Sequence, residues 1–189
     1  MEKDIQTTFK ERYGDLIKPG NEITVPLYHI SFHGDREGIW IPKVPDSPFD
    51  TPKNPSISYE MPIPRICVAP SIEQCFWAIY PNISHYFEEE NYAAMCFTVY
   101  RPMLNANSAV VDTAALTQRQ LVCDAHVTGE HWLLGETFME IVDQIRINNT
   151  SAGEFVKYRP YNSQEGYEWE LAPKNVVYTQ LTYCPCGKE

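Results

Sequence analysis

Long hydrophobic runs are absent from this sequence, and basic side chains are few. No stretch approaches the roughly 20 apolar residues that a membrane-spanning helix needs, so we expect no membrane insertion. The 189 residues include 15 Lys and Arg against 25 Asp and Glu, which gives a formal net charge of −10 at pH 7. A field of this sign repels nucleic-acid phosphates, so we expect no general nucleic-acid binding. A local basic pocket, or an acidic face for a basic protein, stays compatible with this charge.

Several catalytic signatures are absent as well. The chain has no Gly-rich phosphate loop and no G-x-S-x-G motif. Its first 18 residues hold no apolar run of the kind found in a signal peptide, and this predicts a cytoplasmic location. In that setting the six cysteines are expected to be thiols.

What is present is a globular composition. Hydrophobic residues make up 43% of the chain and aromatic residues 13%, and the length favours a single domain with one sizeable core. We predict one α+β domain over residues 1–183, followed by a flexible C-terminal tail at 184–189.

The local patterns predict more strand than helix. Apolar residues three and four apart indicate a helix over 4–17, and Ser71 is a good N-cap for a second helix. A turn of helix is one of the readings open for 110–122. Predicted strands lie at 23–32, 38–41, 65–69, 93–100, 130–136 and 138–148, with one or two more over 154–183.

A proline-dense stretch from 34 to 64 interrupts these elements. Proline removes backbone donors and breaks helices and central strands, so we predict a long semi-rigid loop around the short strand at 38–41. Loops of this length in a compact domain are often binding loops or lids.

Two histidine motifs offer one catalytic hypothesis. His29-Ile30-Ser31 and His126-Val127-Thr128 are both H-x-S/T patterns, which resemble the paired motifs of 2H phosphoesterases. In such enzymes the motifs lie on facing strands, one histidine takes a proton, and the other protonates the leaving oxygen. This resemblance implies that His29 and His126 face each other.

A second order of motifs resembles the ADP-ribosyltransferases. Tyr28-His29-Ile30-Ser31 on a strand, Ala69-Pro70-Ser71 at a strand-to-helix junction, and Glu130 in a late strand follow that superfamily's order. The resemblance implies an α+β fold with two packed sheets and a few short helices. It also implies that His29 contacts the nicotinamide ribose of NAD, that Glu130 is the catalytic carboxylate, and that Thr128 lies on the same strand face as Glu130.

The chemistry that this resemblance implies needs no metal. Cleavage of the nicotinamide–ribose bond builds positive charge on the ribose, which a carboxylate against the 2′-hydroxyl stabilises. His29 and Ser31 would bind ribose or amide groups, and Arg65 would pair with the pyrophosphate. Residues proposed to stack on nicotinamide are Tyr28, Phe76, Tyr86 and Trp132. No Glu or Gln stands two positions before Glu130, which leaves the acceptor open.

Other hypotheses remain beside this one. "YHIS" and "PRICVAPSIEQC" are similar to stretches of small phage and prophage proteins, which would place the chain in a host cytoplasm. Together with the net charge and the proline-rich loop, this is compatible with a non-enzymatic inhibitor that binds a host protein. Zinc binding by Cys184 and Cys186 with His126 or His131 is disfavoured, because structural zinc sites usually carry C-x₂-C pairs.

Overall fold

The computed structural model describes residues 5–32, 36–44, 63–88, 94–122, 124–149, 155–158, 167–170 and 181–184. Its helices are α1 (Ile5–Tyr13), α2 (Ile72–Glu88), α3 (Thr113–Gln118) and α4 (Ala125–Thr128). Its strands are β1 (Ile17–Pro19), β2 (His29–Ser31), β3 (Gly38–Trp40), β4 (Ile66–Val68), β5 (Ala94–Pro102), β6 (Ala109–Val111), β7 (His131–Leu133), β8 (Thr137–Asn149), β9 (Phe155–Tyr158), β10 (Tyr167–Glu170) and β11 (Leu181–Cys184). Two 3₁₀ turns, Gly14–Leu16 and Gly20–Glu22, flank β1.

The strands form two main antiparallel sheets. The first sheet has the order β1-β6-β7-β4. The second has the order β11-β8-β5-β2, and β3 also pairs with β8. Strands β9 and β10 form a separate antiparallel pair. The prediction of an α+β fold that is mostly β is therefore confirmed.

The two main sheets share one apolar layer. Ile66 and Leu133 of the first sheet pack in the same buried cluster as Tyr100 and Met139 of the second. Alternate residues of the first sheet, such as Trp132, point to its other face, where they pack against α1, α3 and α4. This alternation explains how three-residue strands contribute to two separate cores.

Helix α2 covers the remaining part of the second sheet. Phe76 and Ile83 of α2 pack with Phe97 and Ile145. The register of β5 against β8 shifts between Val99 and Tyr100. The extra residue of this bulge is Val142 of β8, since Val99 pairs with Asp143 and Tyr100 with Ile141. Val99 packs in the α2 core and Tyr100 in the core between the sheets, so alternate residues of β5 serve both cores.

Most of the predicted elements that lie in the described residues are confirmed. Strands β3 and β4 lie within the predicted 38–41 and 65–69, while β5 and β8 overlap the predicted 93–100 and 138–148 and extend one or two residues beyond them. Ser71 is the N-cap of α2, because its Oγ accepts a hydrogen bond from the backbone N–H of Gln74 at 3.1 Å. The predicted strand at 23–32 is shorter, since it is reduced to β2 and a single bridge from Tyr28 to Ala69.

The position of Thr128 differs from the prediction. It was expected on the strand of Glu130, but it is the last residue of α4, and β7 begins only at His131. The backbone N–H and the hydroxyl of Thr128 both donate to the carbonyl of Asp124. Gly129, with φ of 65°, ends the helix in the left-handed conformation.

Two further predictions concern the loop and the chain end. Residues 45–62 of the predicted binding loop lie outside the described residues. The proposed tail at 184–189 also lies outside them, apart from Cys184, which pairs with Arg146 at the end of β11. Within the part of the chain that the structure describes, none of the helices has the length and apolarity that crossing a membrane requires.

Candidate functional site

The candidate site lies where one edge strand of each main sheet meets the other. Tyr28 and Ala69 exchange backbone hydrogen bonds of 2.8 and 2.9 Å, which joins β2 to the end of β4. The next residue, His29, donates from Nδ1 to the carbonyl oxygen of Cys67 at 2.7 Å. A carbonyl only accepts, so Nδ1 carries a proton in this contact, and in the neutral form of the ring Nε2 is the acceptor nitrogen.

Glu130 is held on the other side of this junction, between α4 and β7. The hydroxyl of Thr113 donates to its backbone carbonyl at 2.8 Å. Its carboxylate Oε1 accepts a 2.7 Å hydrogen bond from the indole Nε1 of Trp132. The Glu130 side chain is 13% exposed, so the carboxylate is held in place and still reaches the surface of a cavity.

Arg65 is the cation nearest to this carboxylate among the described ion pairs. Its Nε lies 3.9 Å from Oε1 of Glu130, and only 2% of its side chain is exposed. Its guanidinium carbon lies 4.3 Å from the ring centroid of Trp132, in cation–π geometry. One guanidinium N–H also donates to the carbonyl of Ile63 at 3.4 Å. Arg65, Trp132 and Glu130 therefore form one nearly buried cluster.

His29 and Glu130 line the same small cavity, of about 80 Å³. The remaining wall is mostly apolar, and Thr128 adds a hydroxyl-bearing side chain to it. Its other lining residues are Ile30, Cys67, Val68, Ala69, Cys75, Ala78 and Ile79. A cavity that encloses a benzene ring has about 150 Å³, so the small cavity admits the edge of a ligand group and excludes a whole aromatic ring.

A larger pocket of about 680 Å³ shares His29 and Cys67 with the small cavity. We call it the basic pocket, because its described lining includes Arg36, Lys43 and Arg65 and no carboxylate. Apolar and aromatic residues complete it: Ile39, Trp40, Ile41, Val44 and Ile66. In a chain of net charge −10, this concentration of positive charge favours an anionic ligand.

Trp40 shapes the wall that the basic pocket shares with the site. Its ring contacts the His29 ring edge-on, with centroids 5.1 Å apart, and lies 4.7 Å from the Tyr100 ring. The indole N–H donates to the carbonyl of Arg36 at 3.0 Å. The acidic neighbour Glu37 instead accepts from the backbone of Ile141 on β8 and is not among the residues that line the pocket.

The thiol of Cys67 lies between the two pockets but is not suited to attack. Burial raises the pKa of this thiol above its ordinary range, and the negative charge of Glu130 raises it further. Since the thiolate is the nucleophile, Cys67 stays protonated at neutral pH. A Cys–His nucleophile at this position is therefore disfavoured.

The structure separates the predicted site residues into groups. Glu130, His29 and Thr128 line the small cavity, and Arg65 lines the basic pocket. Tyr28 and Ser31 are absent from the walls of both. Tyr86 lies on α2, and its side chain falls outside the described part of the structure.

Two of the predicted binding residues have structural contacts instead. The hydroxyl of Ser71 caps α2 and lies 3.3 Å from the side chain of Gln74. Trp132 is fully buried, with Arg65 over its ring and Phe9 beside it at 6.1 Å between ring centroids. It therefore offers no open face to a nicotinamide ring and instead holds the carboxylate of Glu130.

Sequence reasoning missed Arg36, Trp40 and Lys43 as site residues. All three belong to the proline-dense stretch that was predicted to be a binding loop. Basic and aromatic residues within such a loop were the signal that would have found them. Arg36 and Lys43 are exposed, and this leaves their charges accessible to a ligand.

The 2H phosphoesterase hypothesis is wrong in its geometry. Its second motif, from His126 to Thr128, was expected on a strand facing His29. Residues 125–128 form α4 instead, and His126 is exposed on that helix. A helical H-x-T segment turns its first and third residues to different sides, so it does not present a histidine and a hydroxyl to one phosphate.

The described residues contain no cluster of three or more His, Cys, Asp or Glu side chains placed to hold a metal ion. Comparison with protein-family models, with curated proteins and with solved structures finds no match for this chain.

Proposed function

We propose that this protein binds NAD, or a closely related dinucleotide, and cleaves its nicotinamide–ribose bond as an ADP-ribosyltransferase-like enzyme. The observation that carries the proposal is the small cavity, which His29 and Glu130 both line. The two residues lie far apart in sequence, and a carboxylate and an imidazole from residues of one cavity suit a sugar with adjacent hydroxyl groups.

The sizes of the two pockets support a division of the ligand between them. A volume of about 680 Å³ lies within the range of roughly 300–1,000 Å³ for small-molecule sites. The diphosphate would lie against Arg36 and Lys43, because charge-assisted hydrogen bonds to phosphate are stronger than hydrogen bonds between neutral groups. Only the hydroxyl edge of the ribose would enter the small cavity and reach Glu130.

Each polar group then has a defined part in the reaction. The C1′–N bond breaks with its electron pair leaving on nicotinamide, and positive charge develops on the ribose. Glu130 stabilises that charge by accepting a hydrogen bond from the 2′-hydroxyl, while Nε2 of His29 accepts from a neighbouring hydroxyl. Water or an acceptor nucleophile then bonds to C1′ and releases a proton. Trp132 keeps the carboxylate pointed at the cavity.

The test is release of nicotinamide from NAD by the purified protein, measured by chromatography with and without a host lysate as a source of acceptor. We expect Glu130→Gln to lose at least 100-fold in rate, since electrostatic stabilisation of this kind contributes about 10²–10³-fold. Gln keeps an oxygen that accepts from Trp132, so the effect reports the lost charge.

Glu136→Gln is the matched control, because Glu136 is exposed and lines neither pocket. It should match the unmodified protein in rate. Equal rates in Glu130→Gln and the unmodified protein would contradict the proposed role of Glu130, and no nicotinamide release under either condition would contradict the enzymatic proposal.

Protein binding without catalysis is a second candidate function, favoured by one exposed apolar area. Ile39 and Phe138 are directly paired across β3 and β8, and they are 68% and 43% exposed. Met103, whose backbone bonds to that of Phe138, is 53% exposed. Adjacent exposed apolar side chains often mark protein contacts. For this candidate, Ile39→Asp should abolish capture of a defined partner that Lys43→Gln still captures.

A further inference from the structure

Arg65 belongs to both halves of the site. It lines the basic pocket, and its Nε lies 3.9 Å from the carboxylate of Glu130 in the wall of the small cavity. Its backbone also pairs with that of Lys43, through hydrogen bonds of 2.8 and 3.3 Å. The same cation therefore lies between the groups that would meet a diphosphate and the carboxylate that would meet the ribose.

The ion pair between Arg65 and Glu130 is not closed. A charge-assisted N–H to carboxylate hydrogen bond measures about 2.7–2.9 Å, so the 3.9 Å separation is about 1 Å longer than contact. The guanidinium carbon lies 4.3 Å from the centroid of the Trp132 ring, and cation–π attraction extends to about 6 Å from the centroid, so a shift of about 1 Å retains it. Trp132 donates a hydrogen bond to Glu130, and Arg65 lies 3.9 Å from it, so a shift of the guanidinium changes the field at the carboxylate.

We propose that Arg65 is a positioning residue that couples anion binding in the basic pocket to the Glu130 carboxylate. An anion beside Arg36 and Lys43 attracts the guanidinium towards the basic pocket and weakens its attraction for Glu130. The hydrogen bond from Trp132 to the carboxylate then becomes stronger, and the negative charge of Glu130, less neutralised by Arg65, acts more strongly on the ribose. This inference rests on the proposed function, because it concerns how the diphosphate part of the ligand prepares the residue that acts on the sugar.

The buried indole of Trp132 provides a direct readout. The chain has four tryptophans, so a ¹⁵N-labelled sample gives four indole N–H signals, which Trp→Phe variants assign. Trp40 lies in the basic pocket and reports occupancy. Trp132 has no exposed surface, so its signal responds to Arg65 and Glu130 and not to ligand contact. Trp77, which packs on the α2 core, serves as the internal reference.

The experiment is a titration of the full chain with inorganic pyrophosphate, repeated with ADP-ribose to compare a free diphosphate with a nucleotide-borne one. We expect the Trp40 and Trp132 signals to shift with the same midpoint while the Trp77 signal stays in place. In Glu130→Gln, the Trp40 signal should shift as before, and the Trp132 response should fall at least threefold.

Surface variants test the pocket without disturbing the buried cluster. Lys43→Gln should raise the midpoint about tenfold, which corresponds to about 1.4 kcal/mol, while both tryptophan signals still shift together. Lys10→Gln is the matched control, because Lys10 is an exposed residue of α1 outside the pocket.

Arg65→Lys keeps the charge without the planar stack and should reduce the Trp132 response with little change in the midpoint.

Each outcome bears on the proposal. A shift of Trp40 alone would show anion binding without coupling and would overturn it. No shift of either signal up to about 10 mM, above ordinary millimolar affinities, would overturn it as well. Coupled shifts in a protein that releases no nicotinamide would support this inference and contradict the proposed enzyme activity, so the two failures are distinguishable.

Discussion

Replacing Glu130 with Gln should destabilise the folded protein as well as alter its chemistry. Gln fills nearly the same volume and can still accept the hydrogen bond from Trp132. What it removes is the negative charge 3.9 Å from a guanidinium that is 2% exposed. Arg65 would keep its nearly buried positive charge after the nearby negative charge of Glu130 is removed, and removing one member of a buried pair is the costly way to break it.

The magnitude follows from the geometry. Two opposite unit charges at the observed separation attract by about 4 kcal/mol at an effective dielectric constant of about 20. Ionised Glu130 has also lost part of its hydration, which offsets roughly half of that attraction. We therefore expect a loss of about 2 kcal/mol in the free energy of unfolding, or about 4–8 °C in Tm for a chain of this length.

Thermal and urea unfolding followed by circular dichroism measure this loss. Glu136→Gln should unfold at the same temperature and urea concentration as the unmodified protein. The double variant Arg65→Met/Glu130→Gln should recover stability relative to Glu130→Gln, because the nearly buried positive charge is gone. A Glu130→Gln protein as stable as the unmodified chain, or more stable, would refute the view that this carboxylate balances Arg65.

Two further predictions concern residues beside Glu130. Burial lowers the pKa of His131 below its ordinary value of 6.5, so the unfolded chain takes up the proton more readily than the folded one. The contribution of His131 to the free energy of unfolding should therefore be complete above about pH 6.5 and fall as the pH drops below it. Urea titrations at several pH values should show that this free energy falls less steeply with pH in His131→Asn. An equally steep fall in both proteins would contradict this prediction. Gly129→Ala should cost about 1–2 kcal/mol, because Gly129 has φ of 65° and a Cβ there would lie 2.8 Å from Pro70. Gly135→Ala, where a Cβ meets nothing within 4 Å, should have the same free energy of unfolding as the unmodified protein. Equal stability of Gly129→Ala and Gly135→Ala would contradict the strain argument.

The elements that sequence reasoning predicted best are those with local causes. Ser71 caps α2 because a hydroxyl bonds to the backbone three residues later. The β-branched residues between 138 and 148 favour a strand, and β8 runs through all of them. Interactions of this kind depend on residues that are close in the chain, so the sequence displays them directly.

Some predictions failed because local signals competed, and others because residue type does not show what a side chain packs against. Thr128 favours strands by residue type, but Gly129 follows it and ends a short helix. Trp132 was one of four aromatic residues proposed to stack on nicotinamide. Its position on a strand facing α1, α3 and α4 buries it instead, and residue type alone carries no information on which face of a sheet is covered.

By itself, the sequence determined the charge of the chain, the predominance of strand over helix, the cap of α2 and the candidate pair His29 and Glu130. The tertiary structure alone decided that these two residues line one cavity and that Arg65 lies beside both Glu130 and the basic pocket. The reason is physical. A strand pattern shows which side chains share a face, but the meeting of β2 with β4, and of β4 with β7, depends on how two sheets pack, and that packing is a property of the whole core.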